Sequence, residues 1–338
     1  MKEFFKVHRF APEAEALVDK CVEIVTRFQR MGYRMTLRQV YYQLVKANII
    51  PNQEKQYKRL SSVLSDARLM GRIDWTAIED RVRKPHMPLE FDDLEHRLDV
   101  ALDNYRLPRW ADQPAYAELW VEKDALSGVL APLAHEFHVP MMVNRGYSSQ
   151  SAMYDAGKRY LQAAFGKDVP YVNLPDFFNR DGDEEAAEKV RHARDVFLLD
   201  KEKLPPSKKE LYLFYLGDHD PSGEDMVRDI QERLAMYGCD LVVKKLALTM
   251  DQVREYDPPP NPAKMTDPRA GKYVDEHGAT SWEVDALPPD VMDQIIRAEL
   301  EGIIDRKAMN TVMAKEEADK VLLRKAVESL RKKKGGKK

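Results

Sequence analysis

Two aspartates, Asp218 and Asp220, come directly after the apolar stretch Leu211–Leu216. At the end of a strand, side chains at i and i+2 point to the same side, so both carboxylates can face one ligand. Glu122 ends a second apolar stretch, Tyr116–Val121, in the same way. Hard oxygen ligands at the carboxyl ends of strands are typical of a Mg²⁺ site. The alternative is that Asp220 caps the next helix while Asp218 is solvated.

A tyrosine between two cations is the second candidate for chemistry. On a helix through this segment, Tyr41 lies in the apolar stripe, whereas Tyr42 is rotated by about 100° and is predicted to be exposed. Arg38 and Lys46 stand four residues to either side of Tyr42, on the same face. Such a tyrosine can attack a phosphodiester, with Arg38 stabilising the phosphate and the developing phenolate. The alternative is an ordinary surface tyrosine.

Composition limits the class of protein. The chain has 338 residues, a net charge of −3, 43% hydrophobic residues and two cysteines, Cys21 and Cys239. This length suggests about two domains, and the near-neutral charge excludes DNA binding by bulk charge alone. Two cysteines cannot form a disulfide framework, and no apolar run reaches the ~20 residues of a membrane span. We expect a cytoplasmic, nucleoid-associated protein without a P-loop or another nucleotide-binding motif.

The charge is unevenly distributed along the chain. Residues 27–84 contain 13 Lys or Arg and five acids, a net charge of +8, which leaves −11 for the remainder. This pattern is typical of a module that binds double-stranded DNA, joined to a metal-binding domain. The alternative is that the basic residues form a solvated helical face. The candidate DNA contacts are five basic side chains of this window: Lys46, Lys55, Lys58, Arg59 and Arg68.

The predicted elements divide the chain into two parts. Residues 1–108 read as helices that start near Pro12, Thr36 and Gln53, followed by a strand-like piece at 73–78, which is the outline of a winged helix-turn-helix domain. Thr36 and Gln39 are spaced as a capping box. Residues 112–338 alternate strands and helices, which predicts an α/β domain with a mostly parallel, Rossmann-like sheet, an acidic insertion at 166–208 and C-terminal helices.

Four motifs occur in the order found in one family. The chain resembles the A subunit of DNA topoisomerase VI and the related meiotic double-strand-break transesterase. Thr36-Leu-Arg-Gln-Val-Tyr-Tyr42 is similar to the tyrosine motif of that family, and Val121-Glu-Lys-Asp-Ala-Leu126 is similar to its first Toprim motif. Arg145-Gly-Tyr-Ser148 is similar to the turn after the second strand, and Asp218-His-Asp-Pro-Ser-Gly223 to the Asp-x-Asp-Pro-x-Gly motif. Gln39 departs from the acidic residue usual at its position.

The resemblance implies a fold and an activity. It implies a winged helix-turn-helix domain that carries the nucleophile Tyr42 and a Toprim domain in which Glu122, Asp218 and Asp220 hold Mg²⁺. The implied reaction is a transesterification that leaves a 5′-phosphotyrosyl link and a double-strand break. A homodimer, with the tyrosine of one subunit at the metal site of the other, is also implied. A complete topoisomerase would need a separate ATPase B-type subunit.

Two other functions remain open from the sequence. A metal-dependent nuclease of the Toprim kind would hydrolyse DNA with activated water and would not need Tyr42. A non-catalytic DNA-binding or defence component would use the basic helices alone. Substitution of Tyr42 separates the transesterase from the nuclease, and substitution of Asp218 and Asp220 separates both from the non-catalytic component.

Overall fold

The computed structural model describes residues 2–78, 89–166, 169–173, 176, 179–180, 182–190 and 197–335. Its α-helices are α1 Pro12–Arg30, α2 Leu37–Lys46, α3 Glu54–Leu69, α4 Leu94–Asn104, α5 Asp124–Phe137, α6 Gln150–Phe165, α7 Glu184–Lys189, α8 Pro221–Met236, α9 Met250–Tyr256, α10 Ala270–His277, α11 Pro289–Ile303 and α12 Arg306–Gly335. Its strands are β1 Ala115–Val121, β2 Met141–Val143, β3 Tyr171–Asn173, β4 Phe197–Leu199, β5 Glu210–Leu216, β6 Val242–Ala247, β7 Asn261–Pro262 and β8 Thr280–Ser281.

The first three helices form a helical unit with its own core. Pro12 occupies the first position of α1, where its missing N–H has no cost. The capping box predicted for α2 is confirmed, because Thr36 Oγ1 accepts from Gln39 N at 3.3 Å and Gln39 Oε1 accepts from Thr36 N at 2.8 Å. The core of the unit combines apolar side chains of all three helices, among them Val18, Phe28, Leu44, Leu60 and Leu64.

The wing of the predicted winged helix is not seen among the described residues. Residues 73–78 form no strand, and this part of the chain makes only the isolated bridges Phe4–Met70 and Met35–Ile78. Residues 79–88, which include the end of the basic window with Arg81, Arg83 and Lys84, lie outside the described residues. The winged-helix assignment therefore stays a prediction.

A four-stranded sheet forms the centre of the second part. Its strand order is β2-β1-β5-β6 and all neighbours are parallel, which confirms the predicted mixed α/β class with a parallel sheet. Side chains alternate across β1, so Leu119 and Val121 pack with α5 and α11 on one face, while Trp120 packs with α6 and α8 on the other. In the region predicted as an insertion, β3 and β4 pair antiparallel.

One carboxylate is fully buried inside this sheet. Glu118, on β1, accepts hydrogen bonds from Tyr116 Oη, Trp120 Nε1 and Arg159, at 2.7 to 2.9 Å. Four donors satisfy both oxygens, which is the condition for a charge to be tolerated in a core. This carboxylate is therefore structural and lies away from the carboxyl end of the strands.

The last helix packs against a helix that the sequence assigns to the first domain. Tyr105 Oη, just after α4, donates to Asp319 Oδ2 at 2.8 Å, and Arg331 Nη2 contacts Asp99 at 2.7 Å. Residues 94–107 thus lie against the C-terminal helix α12 and contribute nothing to the buried core of the helical unit. Among the described helices, none combines the length and the apolar character needed to cross a bilayer.

The buried Glu316 of α12 stabilises the contact between α12 and the residues that follow α4. Its carboxylate accepts from Leu107 N at 3.0 Å and contacts Arg109 Nη2 at 3.1 Å and Lys320 Nζ at 3.0 Å. Although burial opposes it, these three donors lower the pKa of Glu316 to about 2. The ionised carboxylate therefore contributes to the stability of the folded chain.

We expect Glu316 to make stability depend on pH in the acid range. Its pKa is lower in the folded than in the unfolded chain, so its contribution is fully present above pH ~4.3 and is lost as pH falls towards 2. Glu316→Gln should lower the free energy of unfolding by about 3 kcal/mol at pH 7 and by much less at pH 2.5. Urea unfolding at both pH values measures this difference. Glu317→Gln, at an exposed neighbour, is the control, and equal losses at both pH values would contradict the assignment.

Candidate active site

Glu122 and Asp218 meet at the carboxyl edge of the sheet. Val121 pairs with Leu216 in parallel register, so the residues after β1 and β5 emerge side by side. Glu122 N donates to Leu216 O, and Asp218 N donates to Glu122 Oε2, both at 2.8 Å. From β1 the chain crosses to β2 on one side, and β5 lies on the other side of β1. The carboxyl ends of β1 and β5 therefore form a topological switch point, which is where α/β proteins bind ligands.

Asp220 begins helix α8. Its Oδ1 accepts from Gly223 N at 2.7 Å and from Ser222 Oγ at 2.8 Å, and Pro221 occupies the first helical position. The capping role that the sequence suggested for Asp220 is thus present. A Cβ at Gly223 would lie 2.1 Å from Asp218 O, so only glycine allows this close turn. The turn holds Asp218 and Asp220 next to one another after β5.

Lys123 occupies the space between the acids. Its Nζ lies 2.8 Å from Asp218 Oδ1, 3.0 Å from Glu283 Oε2 and 3.2 Å from Asp285 Oδ1. Although burial opposes it, these three carboxylates raise the pKa of Lys123, which keeps the ammonium group charged. Glu283 and Asp285 are not among the site residues predicted from the sequence, although their Glu-x-Asp spacing is a carboxylate-pair signal.

The acids of the centre repel one another. Burial, followed by the charge of Asp218, raises the pKa of Glu122 to about 7. Burial also raises the pKa of Asp218, which Lys123 and the N–H of Val284 oppose. Burial raises the pKa of Asp285 to about 6, and its Oδ2 accepts no hydrogen bond. Such a centre is stabilised by positive charge, which Lys123 supplies.

The donor chemistry of the acids fits a hard divalent cation. Glu122, Asp218 and Asp220 offer only oxygen ligands, and burial, followed by the charge of Asp218, raises the pKa of Glu122, so an added cation would favour its ionised form. Yet no three His, Cys, Asp or Glu side chains within the described ranges are grouped to hold a metal ion. Asp218 Oδ1 instead contacts Lys123 Nζ and accepts from Val284 N at 2.9 Å. Mg²⁺ binding therefore remains a proposal.

The prediction that Tyr42 is exposed is wrong. Tyr42 is only 4% exposed, because its ring packs into the core of the helical unit and residues of the C-terminal part cover the face of α2 that carries it. Its hydroxyl lies beside Asn261 and Glu283, and burial, followed by the charges of Glu283 and Asp285, raises its pKa. Helical periodicity describes one helix alone. It cannot predict that residues more than 200 positions later in the chain pack over that helix. The hydroxyl nevertheless faces the acidic centre and not the core of the helical unit.

Arg38 faces the same centre. Its Nη1 lies 2.9 Å from Glu283 Oε2, and its Nε lies 4.0 Å from Asp285 Oδ2. Although burial opposes it, these carboxylates raise the pKa of Arg38. Burial opposes the ionisation of Glu283, but Lys123 and then Arg38 lower the pKa of its carboxyl. Arg38 and Tyr42 therefore meet Glu283 together, and Glu283 in turn meets Lys123. The structure links the tyrosine helix to Asp218 within a single chain.

A short segment makes this link. We name residues 279–287 the bridging segment. Trp282 exchanges two backbone hydrogen bonds with His219, at 2.8 and 2.9 Å, and Val284 N donates to Asp218 Oδ1. On its other side, Ala286 is part of the core of the helical unit. The bridging segment thus contacts the Asp218 turn and helix α2 at the same time.

The predicted DNA contacts lie in different environments. Lys46 and Lys55 are exposed on the helical unit. Lys58 pairs with Glu54 at 2.7 Å, and Arg59 lies 3.6 Å from Glu13, all on the surface. Arg68 has a structural task instead, because its guanidinium stacks on Trp75 at 4.4 Å and donates to two backbone carbonyls. We therefore correct its assignment and leave Arg68 out of the proposed DNA surface.

Fold and site together define an α/β protein with a parallel sheet. At the topological switch point of this sheet, a cluster of acids surrounds Lys123. Comparison of the chain with protein-family models finds no match, and a search of curated proteins finds no relative.

Proposed function

We propose that the chain is a Mg²⁺-dependent DNA transesterase, with a winged-helix type of tyrosine domain and a Toprim type of metal domain. The observation that carries the proposal is the meeting of Arg38 and Tyr42 with Glu283, and of Glu283 with the Lys123–Asp218 pair, at the carboxyl edge of the sheet. A nucleophile, a cation and an acid centre are the parts that phosphodiester transfer needs.

In the proposed reaction, the hydroxyl oxygen of Tyr42 forms a bond to a backbone phosphorus. The bond between phosphorus and the 3′ oxygen breaks, which leaves a 5′-phosphotyrosyl link and a free 3′-hydroxyl. The phenolic proton passes to solvent, and the leaving oxygen takes up a proton in exchange. Arg38 stabilises the charge on the phosphate and on the developing phenolate. Bound Mg²⁺ would be held by Glu122, Asp218 and Asp220 and would neutralise charge on the phosphate.

Double-stranded DNA is the proposed substrate, and a homodimer is the proposed assembly because a two-fold protein matches a two-fold duplex. A separate ATPase subunit is an optional partner for strand passage. The direct test is incubation with plasmid DNA, with and without Mg²⁺, followed by denaturation. We expect DNA ends that carry protein only when Mg²⁺ is present.

The burial of Tyr42 favours a second candidate function. A nuclease that hydrolyses DNA with metal-activated water would use the acid centre while Tyr42 stays covered. This candidate predicts Mg²⁺-dependent cleavage with ends free of protein. Absence of any cleavage, with DNA binding retained, would instead support the non-catalytic DNA-binding component.

Salt should weaken DNA binding steeply if the helical unit is the DNA grip. The expected slope of log affinity against log salt is about −0.9 for each neutralised phosphate. Lys46→Ala combined with Lys55→Ala removes two exposed cations, so the slope should fall by about 2. Fluorescence anisotropy with duplex DNA at several salt concentrations measures it. Arg228→Ala combined with Arg254→Ala, on α8 and α9, is the control, and equal slopes for both double variants would contradict the assigned grip.

A further inference from the structure

Glu283 holds both halves of the proposed site. Its Oε2 lies 2.9 Å from Arg38 Nη1 and 3.0 Å from Lys123 Nζ, and its carboxylate lies beside the hydroxyl of Tyr42. The same side chain therefore covers the candidate nucleophile and keeps an ammonium group within the acid centre. In this arrangement Tyr42 is covered, and Lys123 is the cation held within the acid centre.

A second contact lies at the same boundary between the helical unit and the C-terminal part, which we name the seam. Asn52, in the turn before α3, donates from Nδ2 to Pro260 O at 2.7 Å and to Asn261 Oδ1 at 3.0 Å. These atoms lie more than 200 residues apart in the chain, so this contact joins the helical unit to the C-terminal part. The seam thus runs from Asn52 past Tyr42 to Arg38.

We propose that this seam is an autoinhibitory latch, with Arg38, Tyr42 and Asn52 on one side and Asn261, Glu283 and Asp285 on the other. The latch must open before a DNA backbone can reach Tyr42, which is 4% exposed when it is closed. The inference rests on the proposed function and adds its regulation.

The exposure and the pairing of Arg38 indicate that DNA itself can open the latch. The side chain of Arg38 is 44% exposed, so solvent and anions compete for its pair with Glu283. A phosphate is a better bidentate partner for a guanidinium than a carboxylate that Lys123 already shares. DNA that binds the helical unit can therefore take over Arg38, which releases Glu283 and uncovers Tyr42.

The first test measures the exposure of Tyr42 without any DNA. Glu283→Gln removes the charge that Arg38 and Lys123 share, and we expect a tyrosine-selective reagent to label Tyr42 at least about tenfold faster, as read by peptide mass spectrometry. Tyr41 is the internal control, because its hydroxyl is hydrogen-bonded to Asn52 and Gln53 inside the helical unit. Glu136→Gln, which removes the ion pair with Arg297 elsewhere, is the matched variant. Unchanged labelling of Tyr42, or equal gains at Tyr41, would overturn the latch.

The second test locks the seam. Asn52→Cys combined with Asn261→Cys places two thiols across it, and a short bis-thiosulfonate reagent bridges them reversibly, while the native Cys21 and Cys239 are buried. We expect the bridge to abolish the Mg²⁺-dependent DNA adduct of the double variant and reductant to restore it. Each single variant weakens the latch and cannot be bridged, so it should keep its adduct after the same treatment. Full activity of the bridged protein would refute the latch. If Glu283→Gln uncovers Tyr42 but no form of the protein produces an adduct, the latch stands and the proposed function fails.

Discussion

Replacing Tyr42 by Phe is expected to abolish the covalent DNA adduct, by more than about 10³-fold, because no other atom takes the place of the lost nucleophile. The ring keeps its place under the bridging segment, so the fold should be retained with a loss of only about 1 kcal/mol in the free energy of unfolding. Denaturing electrophoresis of protein on labelled DNA ends gives the readout. The substituted protein should still bind duplex DNA.

The control for this substitution is the neighbouring residue. Tyr41→Phe removes hydroxyl contacts to Asn52 and Gln53 but leaves Tyr42 and the acid centre intact. Its adduct should stay within a few-fold of the unchanged chain. Full cleavage by the Tyr42→Phe protein, with ends free of protein, would replace the transesterase by the nuclease.

Asp218→Asn is expected to give the second large effect, a loss of about 10²- to 10³-fold in Mg²⁺-dependent cleavage. The amide keeps the volume of the side chain and can still accept from Val284 N, so the turn after β5 should persist. What disappears is the charge between Glu122 and Lys123. The free protein gives a second readout, because the Mg²⁺ binding proposed for the unchanged chain should be lost in titration calorimetry.

Asp220→Asn separates two roles in the same turn. Asparagine caps a helix as well as aspartate does, so α8 should remain intact and stability should change little. If Asp220 is also a metal ligand, cleavage falls as it does for Asp218→Asn. Unchanged cleavage would confine Asp220 to its capping role, and unchanged cleavage by both variants would remove the acid centre from the mechanism.

The sequence predicts much of the acid centre because the signals are local. Apolar strands that run into Glu122 and Asp218 place these residues at the carboxyl edge, and parallel pairing of β1 with β5 brings them together. The capping box at Thr36 and the cap at Asp220 are likewise local, since each needs only residues within three positions. The structure has all of these features.

The surroundings of the tyrosine could not be predicted in the same way. Tyr42 is covered by the bridging segment, which depends on how the helical unit docks against residues more than 200 positions away. Glu283 and Asp285 lie in a stretch whose sequence predicts irregular structure. No apolar strand precedes them, so no local pattern places them at the edge of the sheet. Arg68 counts as a surface cation by composition, yet Trp75 and two backbone carbonyls take up its guanidinium. Tertiary contacts decide all three cases.

The most direct measurement of the central claim is to identify the amino acid that carries DNA. After incubation with DNA and Mg²⁺, nuclease digestion leaves a nucleotide remnant on the protein, and trypsin releases the peptide Gln39–Lys46. We predict that fragmentation places the remnant on Tyr42 and not on Tyr41. A remnant on any other residue, or DNA ends cut without any remnant on the protein, would contradict the account.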